Sequence, residues 1–153
     1  MASPRNSVPP TAHQEGRPEA PEAGTLPIRL GEEAWSLEEA ADLRDELQQE
    51  VARLREELEA SEEELADLMR DYGGGSGDDS ADTGGKVLER EQELTLTNNS
   101  RTLLAQTERA LGRLSDHTYG LCESCEQPIG KMRLQAFPRA TLCVSCKQKQ
   151  ERR

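Results

Sequence analysis

Four cysteines stand in two Cys-x-x-Cys pairs, Cys122-Glu-Ser-Cys125 and Cys143-Val-Ser-Cys146, with 17 residues between the pairs and no cysteine left over. Two residues between ligands let a tight knuckle turn both sulfurs toward one ion. Two such knuckles supply the four thiolates of a closed tetrahedral zinc site. Zinc with no open coordination position is structural, and its binding can contribute roughly 10–16 kcal/mol at neutral pH. That is enough to fold a module with little core of its own. A redox dithiol pair and an iron–sulfur centre are the rival uses of these cysteines, and neither has a second supporting motif. His117 lies close to the first pair and is a spare ligand that four thiolates make unnecessary.

The rest of the chain must position that module, and its composition argues for a rod rather than a large globule. Hydrophobic residues make up 33% of the 153, aromatic residues 3% and charged residues 32%. The four aromatics are Trp35, Tyr72, Tyr119 and Phe137, too few large side chains for one compact core. Residues 1–34, rich in Pro, Ala, Glu and Gly, show no sustained periodicity and read as disordered, with Leu26 to Leu30 a candidate docking segment. Order is expected from Ser36, where Ser-Leu-Glu-Glu reads as a capping box. A stripe then runs through Leu37, Ala40, Arg44, Leu47, Val51, Leu54, Leu58, Ser61, Leu65, Leu68 and Tyr72. After the first step its spacing alternates four and three, the narrow seam of a coiled coil.

Residues 73–85, GGGSGDDSADTGG, hold six glycines and three aspartates and should interrupt the helix as an acidic turn. A second helix is expected from about Lys86 to Asp116, with Val87, Leu88, Leu94, Leu96, Leu103, Leu104, Ala110, Leu111 and Leu114 as its apolar positions. So thin a stripe is marginal alone. Two helices of similar length joined by a short loop should fold back antiparallel; a parallel homodimer through the first helix is the alternative. Ile129, Leu134, Phe137 and Leu142 should cluster over the metal, and the tail after Cys146 should form a short helix with cations at its end. The expected fold is mainly α: a disordered segment over 1–34, a coiled-coil hairpin over 35–116 with its tip at 73–85, and a four-cysteine zinc finger with a short C-terminal helix over 117–153.

The residues around the cysteines resemble a known family. Tyr119-Gly-Leu-Cys122-Glu-Ser-Cys125, Ile129-Gly130, Arg133-Leu134, Ala136, Pro138 and Leu142-Cys143-x-x-Cys146-Lys147 are similar to the zinc finger of the DksA/TraR family. These are bacterial transcription factors that bind RNA polymerase rather than DNA. The resemblance implies that the hairpin enters the polymerase secondary channel and that acids at its tip alter open-complex stability. The family's tip pattern Asp-x-x-Asp-x-Ala falls on Asp79, Asp82 and Gly84, where glycine replaces alanine. Glu126 stands where the family usually has glycine. Members that respond to the alarmone ppGpp use basic residues at the positions of Gln106, Phe137 and Lys147; only Lys147 is charged here, so a strong ppGpp response is not expected. Arg133 and Lys147 are candidate polymerase contacts.

Charge bears on the rival functions. The formal net charge is −11. Ser36 to Asp71 carries 14 acids and 4 bases, a balance of −10, whereas Lys131 to Arg153 carries 7 bases and one acid, a balance of +6. That layout suits docking on a protein better than wrapping a nucleic acid, and aromatics for base stacking are scarce. A zinc-stabilised coiled-coil adaptor working by protein contacts is the main alternative, and a redox-responsive zinc site remains open. Catalysis is not expected: both histidines are isolated and no nucleophile or phosphate-loop pattern occurs. With no apolar run of membrane-spanning length and no secretory leader, the chain is expected in the cytoplasm.

Overall fold

The computed structural model describes residues 26–72 and 80–153. Two long helices dominate, α1 (Leu37–Tyr72) and α2 (Ser80–Ser115), each of 36 residues. Two short helices, α3 (Lys131–Ala136) and α4 (Val144–Glu151), belong to the cysteine-bearing end. Among the described residues the only β pairing is an isolated antiparallel bridge between Leu121 and Pro128. The fold is mainly α.

Helix α1 begins where its capping signal stands. Ser36 Oγ accepts from the Glu39 amide at 3.0 Å, and Glu39 Oε2 accepts from the Ser36 amide at 2.8 Å. Two orphan donors are thereby satisfied reciprocally. The two long helices pack antiparallel against each other. Their register is set out by Arg55–Glu108 at 2.6 Å and Arg101–Glu62 at 2.7 Å: seven residues forward on α1, from 55 to 62, match seven back on α2, from 108 to 101. Both pairs are exposed, so they mark the register more than they stabilise it. The seam holds the stability. Ala40, Leu43, Leu47, Val51, Leu54 and Leu65 of α1 are buried, and their stripe is covered by α2 of the same chain rather than needing a second copy.

The seam differs from the expected one at both ends. Leu37 is 68% exposed and Leu43 is buried in its stead, with Arg44 half-buried beside it. The base of α1 faces both α2 and the cysteine-bearing module, so its buried face is wider than a two-helix seam. On α2 the expected Leu88 and Leu96 lie outside, while Thr97 and Thr107 are fully buried. Stepping back from Leu114 in fours and threes reaches Leu111, Thr107, Leu104 and Thr97, so Leu88 and Leu96 fall off the stripe. Partner packing, not residue polarity, sets the phase.

Two boundaries also move. Helix α2 starts at Ser80, not near Lys86, so Ser80–Gly85 is helical and Gly84 and Gly85 sit inside the helix. Asp82 in the first turn complements the helix dipole, and half-buried Thr83 continues the seam, so tertiary context overrides glycine propensity. Residues 73–79, including Asp79, lie outside the described residues.

The expectation of disorder over 1–34 fails for 26–34; residues 1–25 lie outside the described ones. Leu26 and Trp35 are buried and Ile28 is partly buried against the same core, while Leu30 is fully exposed. These residues form a strap across the base. What holds it comes from more than 80 residues later in the sequence, which local composition does not reveal. One core joins strap, helix ends and cysteine module: Leu26, Trp35, Ala40, Leu43 and Leu47 pack with Ala110, Leu114, Tyr119, Ile129 and Leu134.

Candidate metal centre

The first knuckle grows out of the end of α2. His117, with φ of 58°, turns the chain, and Gly120, with φ of 88°, turns it again. At Gly120 an added Cβ would lie 3.1 Å from Pro27 Cγ of the strap, a tight contact, and the positive φ favours glycine. The chain then doubles back: the Cys122 amide donates to Gln127 O at 2.9 Å, the Glu126 amide to Cys122 O at 2.9 Å, and the Ile129 amide to Gly120 O at 2.7 Å. Glu126 has φ of 59°, the left-handed conformation for which glycine is better suited. The second knuckle opens α4: Cys143 is its N-cap residue, Cys146 lies in its first turn, and the Lys147 amide donates to Cys143 O at 2.9 Å. The Glu123 amide donates to Thr141 O at 2.9 Å and joins the knuckles.

This arrangement brings the four expected ligands together. The sulfurs of Cys122, Cys125, Cys143 and Cys146 all lie within 4.8 Å of one another, and those of Cys125 and Cys143 are 3.9 Å apart. Sulfurs each about 2.3 Å from one zinc ion stand about 3.8 Å apart in a tetrahedron. The donor set fits one structural zinc ion. His117 is exposed and outside the cluster. Burial opposes ionisation of Cys122, but the amides of Cys143, Cys125 and Ser124, with the Cys125 thiol, outweigh it and bring the Cys122 thiol down to about 6. The Cys143 amide donates to Cys122 Sγ at 3.3 Å. For Cys146 the largest influence, a hydrogen bond with Ser124, acts downward; crowding by Cys143, burial, and the sulfurs of Cys122 and Cys125 together push it up to about 11. Four thiols this close cannot all ionise without a cation among them.

The expected apolar cover is only partly present. Ile129 and Leu134 are fully buried and Leu142 is partly buried, but Phe137 is 63% exposed. The chain leaves α3 at Phe137 with φ of −134° and ψ of 78°, which swings the ring out against the Arg133 guanidinium, 5.8 Å from its centroid. Tyr119 fills the interior instead, donating to Pro138 O at 2.8 Å; burial is the main force pushing its phenol above the usual range.

Residues that periodicity and motif spacing did not single out tie this module to the hairpin. Arg113 donates to Thr118 O at 2.8 Å and Leu121 O at 2.5 Å, closing the end of α2. Glu123, beside Cys122, meets Arg109 at 2.6 Å and Arg113 at 3.8 Å. Lys131 reaches across to the start of α1, and Arg139 lies 3.8 Å from Glu50 of the same helix. The signal in the sequence was the excess of bases from Lys131 onward, which takes in Lys131 and Arg139 but not Arg109, Arg113 or Glu123. Arg133 Nε donates to Leu142 O at 3.1 Å, and Lys147 lies 3.6 Å from Glu151, so both have intramolecular partners. Gln106, Phe137 and Lys147 line one open cleft of about 890 Å³ together with Arg109, Arg133 and Arg139. Asp82 lies in the first turn of α2, about 50 Å of helix from the residues that lead into the cysteines.

Comparison with known proteins places this geometry. A model of the prokaryotic dksA/traR C4-type zinc finger matches residues 117–152. The RNA polymerase-binding transcription factor DksA of Escherichia coli K12 is 31% identical over 127 residues, covering 82% of this chain and 81% of that protein. The chain belongs to the DksA/TraR family. A DksA from Caulobacter vibrioides is 39% identical over 75 residues, 49% of this chain and 53% of that one, so the chain spans about half the length of that relative. The solved structure of transcription factor DksA2 from Pseudomonas aeruginosa is similar with a TM-score of 0.60 at 34% identity, covering 73% of this chain and 82% of that chain. Among the described residues, no helix is long and apolar enough to cross a membrane.

Proposed function

We propose that this DksA/TraR protein is a transcription regulator that binds RNA polymerase and passes its coiled-coil hairpin into the secondary channel. The observation that supports it most is the joint one: a zinc-ready cluster seals one end of an antiparallel rod, and DksA-like sequence extends over 82% of the chain, hairpin included. In this reading Asp79, Asp82 and Gly84 form the tip that acts near the polymerase active centre. Arg133 and Lys147 are contacts at the base. Zinc keeps the base rigid, and the protein acts in the cytoplasm by binding, with no catalysis of its own. Direct sequence-specific DNA binding is not part of the proposal, because the chain carries −11 overall. A ppGpp response through the cleft is weak, because Gln106 and Phe137 are uncharged.

Binding to core RNA polymerase, with and without a competitor that occupies the secondary channel, tests the first half. Transcription from a responsive promoter with the double variant Asp79→Asn and Asp82→Asn tests the second. The variant should bind like the wild type and lose the transcriptional effect. If it acts like the wild type, the tip mechanism is wrong; if the wild type does not bind polymerase, the adaptor reading replaces the whole proposal.

A further inference from the structure

The strap and the first turn of α1 converge on one side chain of the zinc module. Lys131, the first residue of α3, has a side chain only 12% exposed. Its Nζ donates to Glu39 Oε2 at 2.7 Å and to Ala34 O at 3.4 Å, and it sits 5.3 Å from the centroid of the Trp35 ring. Its backbone amide donates to Glu32 Oε2 at 3.2 Å. The same Glu39 oxygen accepts from the Ser36 amide, so the capping box of α1 and the finger share one carboxylate. Trp35, the only tryptophan of the chain, is 3% exposed. Through Ile129 and Leu134, which flank Lys131 and are fully buried in the common core, this contact lies against the module that the four cysteines organise.

A hairpin hinged at such a base is a long lever. Each long helix spans about 54 Å, and a tilt of about 10° at its foot displaces the far end by roughly 9 Å. The module holds α2 through Arg109, Arg113 and Glu123, and holds α1 through Lys131 and, further along, the Arg139–Glu50 pair. Of these polar holds on α1, only Lys131 acts at the foot, beside the apolar core that Ala40 and Leu43 share with Ile129 and Leu134. A small displacement there has the largest effect at the tip.

We propose that Lys131 is a positioning residue that couples a zinc-loaded finger to the direction of the hairpin by locking Glu39, Ala34 and Trp35 of the α1 foot. Its activity arm rests on the polymerase reading; its spectroscopic arm does not. The test uses the full chain loaded with zinc, as wild type, Lys131→Met and Lys131→Arg. Zinc content, helical signal, Trp35 emission and its quenching by acrylamide are measured, together with polymerase binding and the transcriptional effect. Lys131→Met should keep one zinc per chain and the helical signal, shift Trp35 emission to the red and raise its quenching several-fold. It should hold polymerase binding within a few-fold while the transcriptional effect falls roughly tenfold, the scale of one charge-assisted hydrogen bond. Lys131→Arg should restore both readouts. Chelation of zinc from the wild type should reproduce the Trp35 shift.

An unchanged Trp35 signal in Lys131→Met, or an unchanged transcriptional effect at unchanged binding, overturns the proposal. If Lys131→Met loses zinc or helical signal, Glu39→Gln is read in the same way, since glutamine can keep the capping box and lacks the charge. If the wild type does not bind polymerase, that reading fails, and the Trp35 arm decides the coupling alone.

Discussion

Two buried threonines of α2 predict different responses to one substitution. Thr97 and Thr107 are each fully buried in the seam, ten residues apart. Thr107 Oγ1 donates to Leu103 O at 2.8 Å, whereas Thr97 Oγ1 is buried with no hydrogen-bond partner. An unpaired buried hydroxyl costs about 1–3 kcal/mol. Threonine to valine keeps the β-branch and the volume, and the two differ little in helix propensity. Thr97→Val therefore removes the penalty and adds an apolar methyl, and should stabilise by about 1–3 kcal/mol. Thr107→Val gives up a made bond and leaves Leu103 O only its helical partner, and should be neutral or destabilise by about 1 kcal/mol. Urea unfolding of the zinc-saturated protein, followed by helical circular dichroism at constant m-value, measures both. Shifts of the same sign and size would refute the reasoning, because they would mean that the hydrogen bond makes no difference at these positions.

Three further outcomes are expected. Nothing lies within 4 Å of a Cβ added at Gly84 or Gly85, so Gly84→Ala with Gly85→Ala should stabilise the start of α2 by about 1 kcal/mol per residue, seen as increased amide-exchange protection over Asp82–Leu88. Gly120→Ala should destabilise by about 1–2 kcal/mol from its positive φ, with more from Pro27, and its zinc affinity should fall in competition with a chelator. Glu39 is held below the usual carboxylate range, first by the Lys131 hydrogen bond and then by the Ser36 amide. A depressed folded-state pKa gives stability present above the unfolded value and lost as pH falls through the folded one. The difference between wild type and Glu39→Gln should thus be full near neutrality and vanish below the ordinary carboxylate range, checked by melts across pH.

Local spacing determined the metal centre. Two residues between the cysteines of each pair are enough to aim both sulfurs at one ion, and the four do meet. The capping box at Ser36 and the long stripe of α1 were equally legible, since both are patterns within one turn or one heptad. The start of α2 was not, because Gly84 and Gly85 speak locally against a helix that packing along the seam sustains. Nor was its buried face: Thr97 and Thr107 are inside and Leu88 and Leu96 outside because the partner helix sets the phase, and no reading of α2 alone contains its partner. The strap was hidden for the same reason. Leu26 and Pro27 sit in a segment of disordered composition, yet Leu26 is buried and Pro27 closes on Gly120, while Trp35 just beyond that segment packs under Lys131. Chemistry written in neighbouring residues could be read from the chain; which surfaces meet depended on contacts between residues far apart in it, and only folding brings those together.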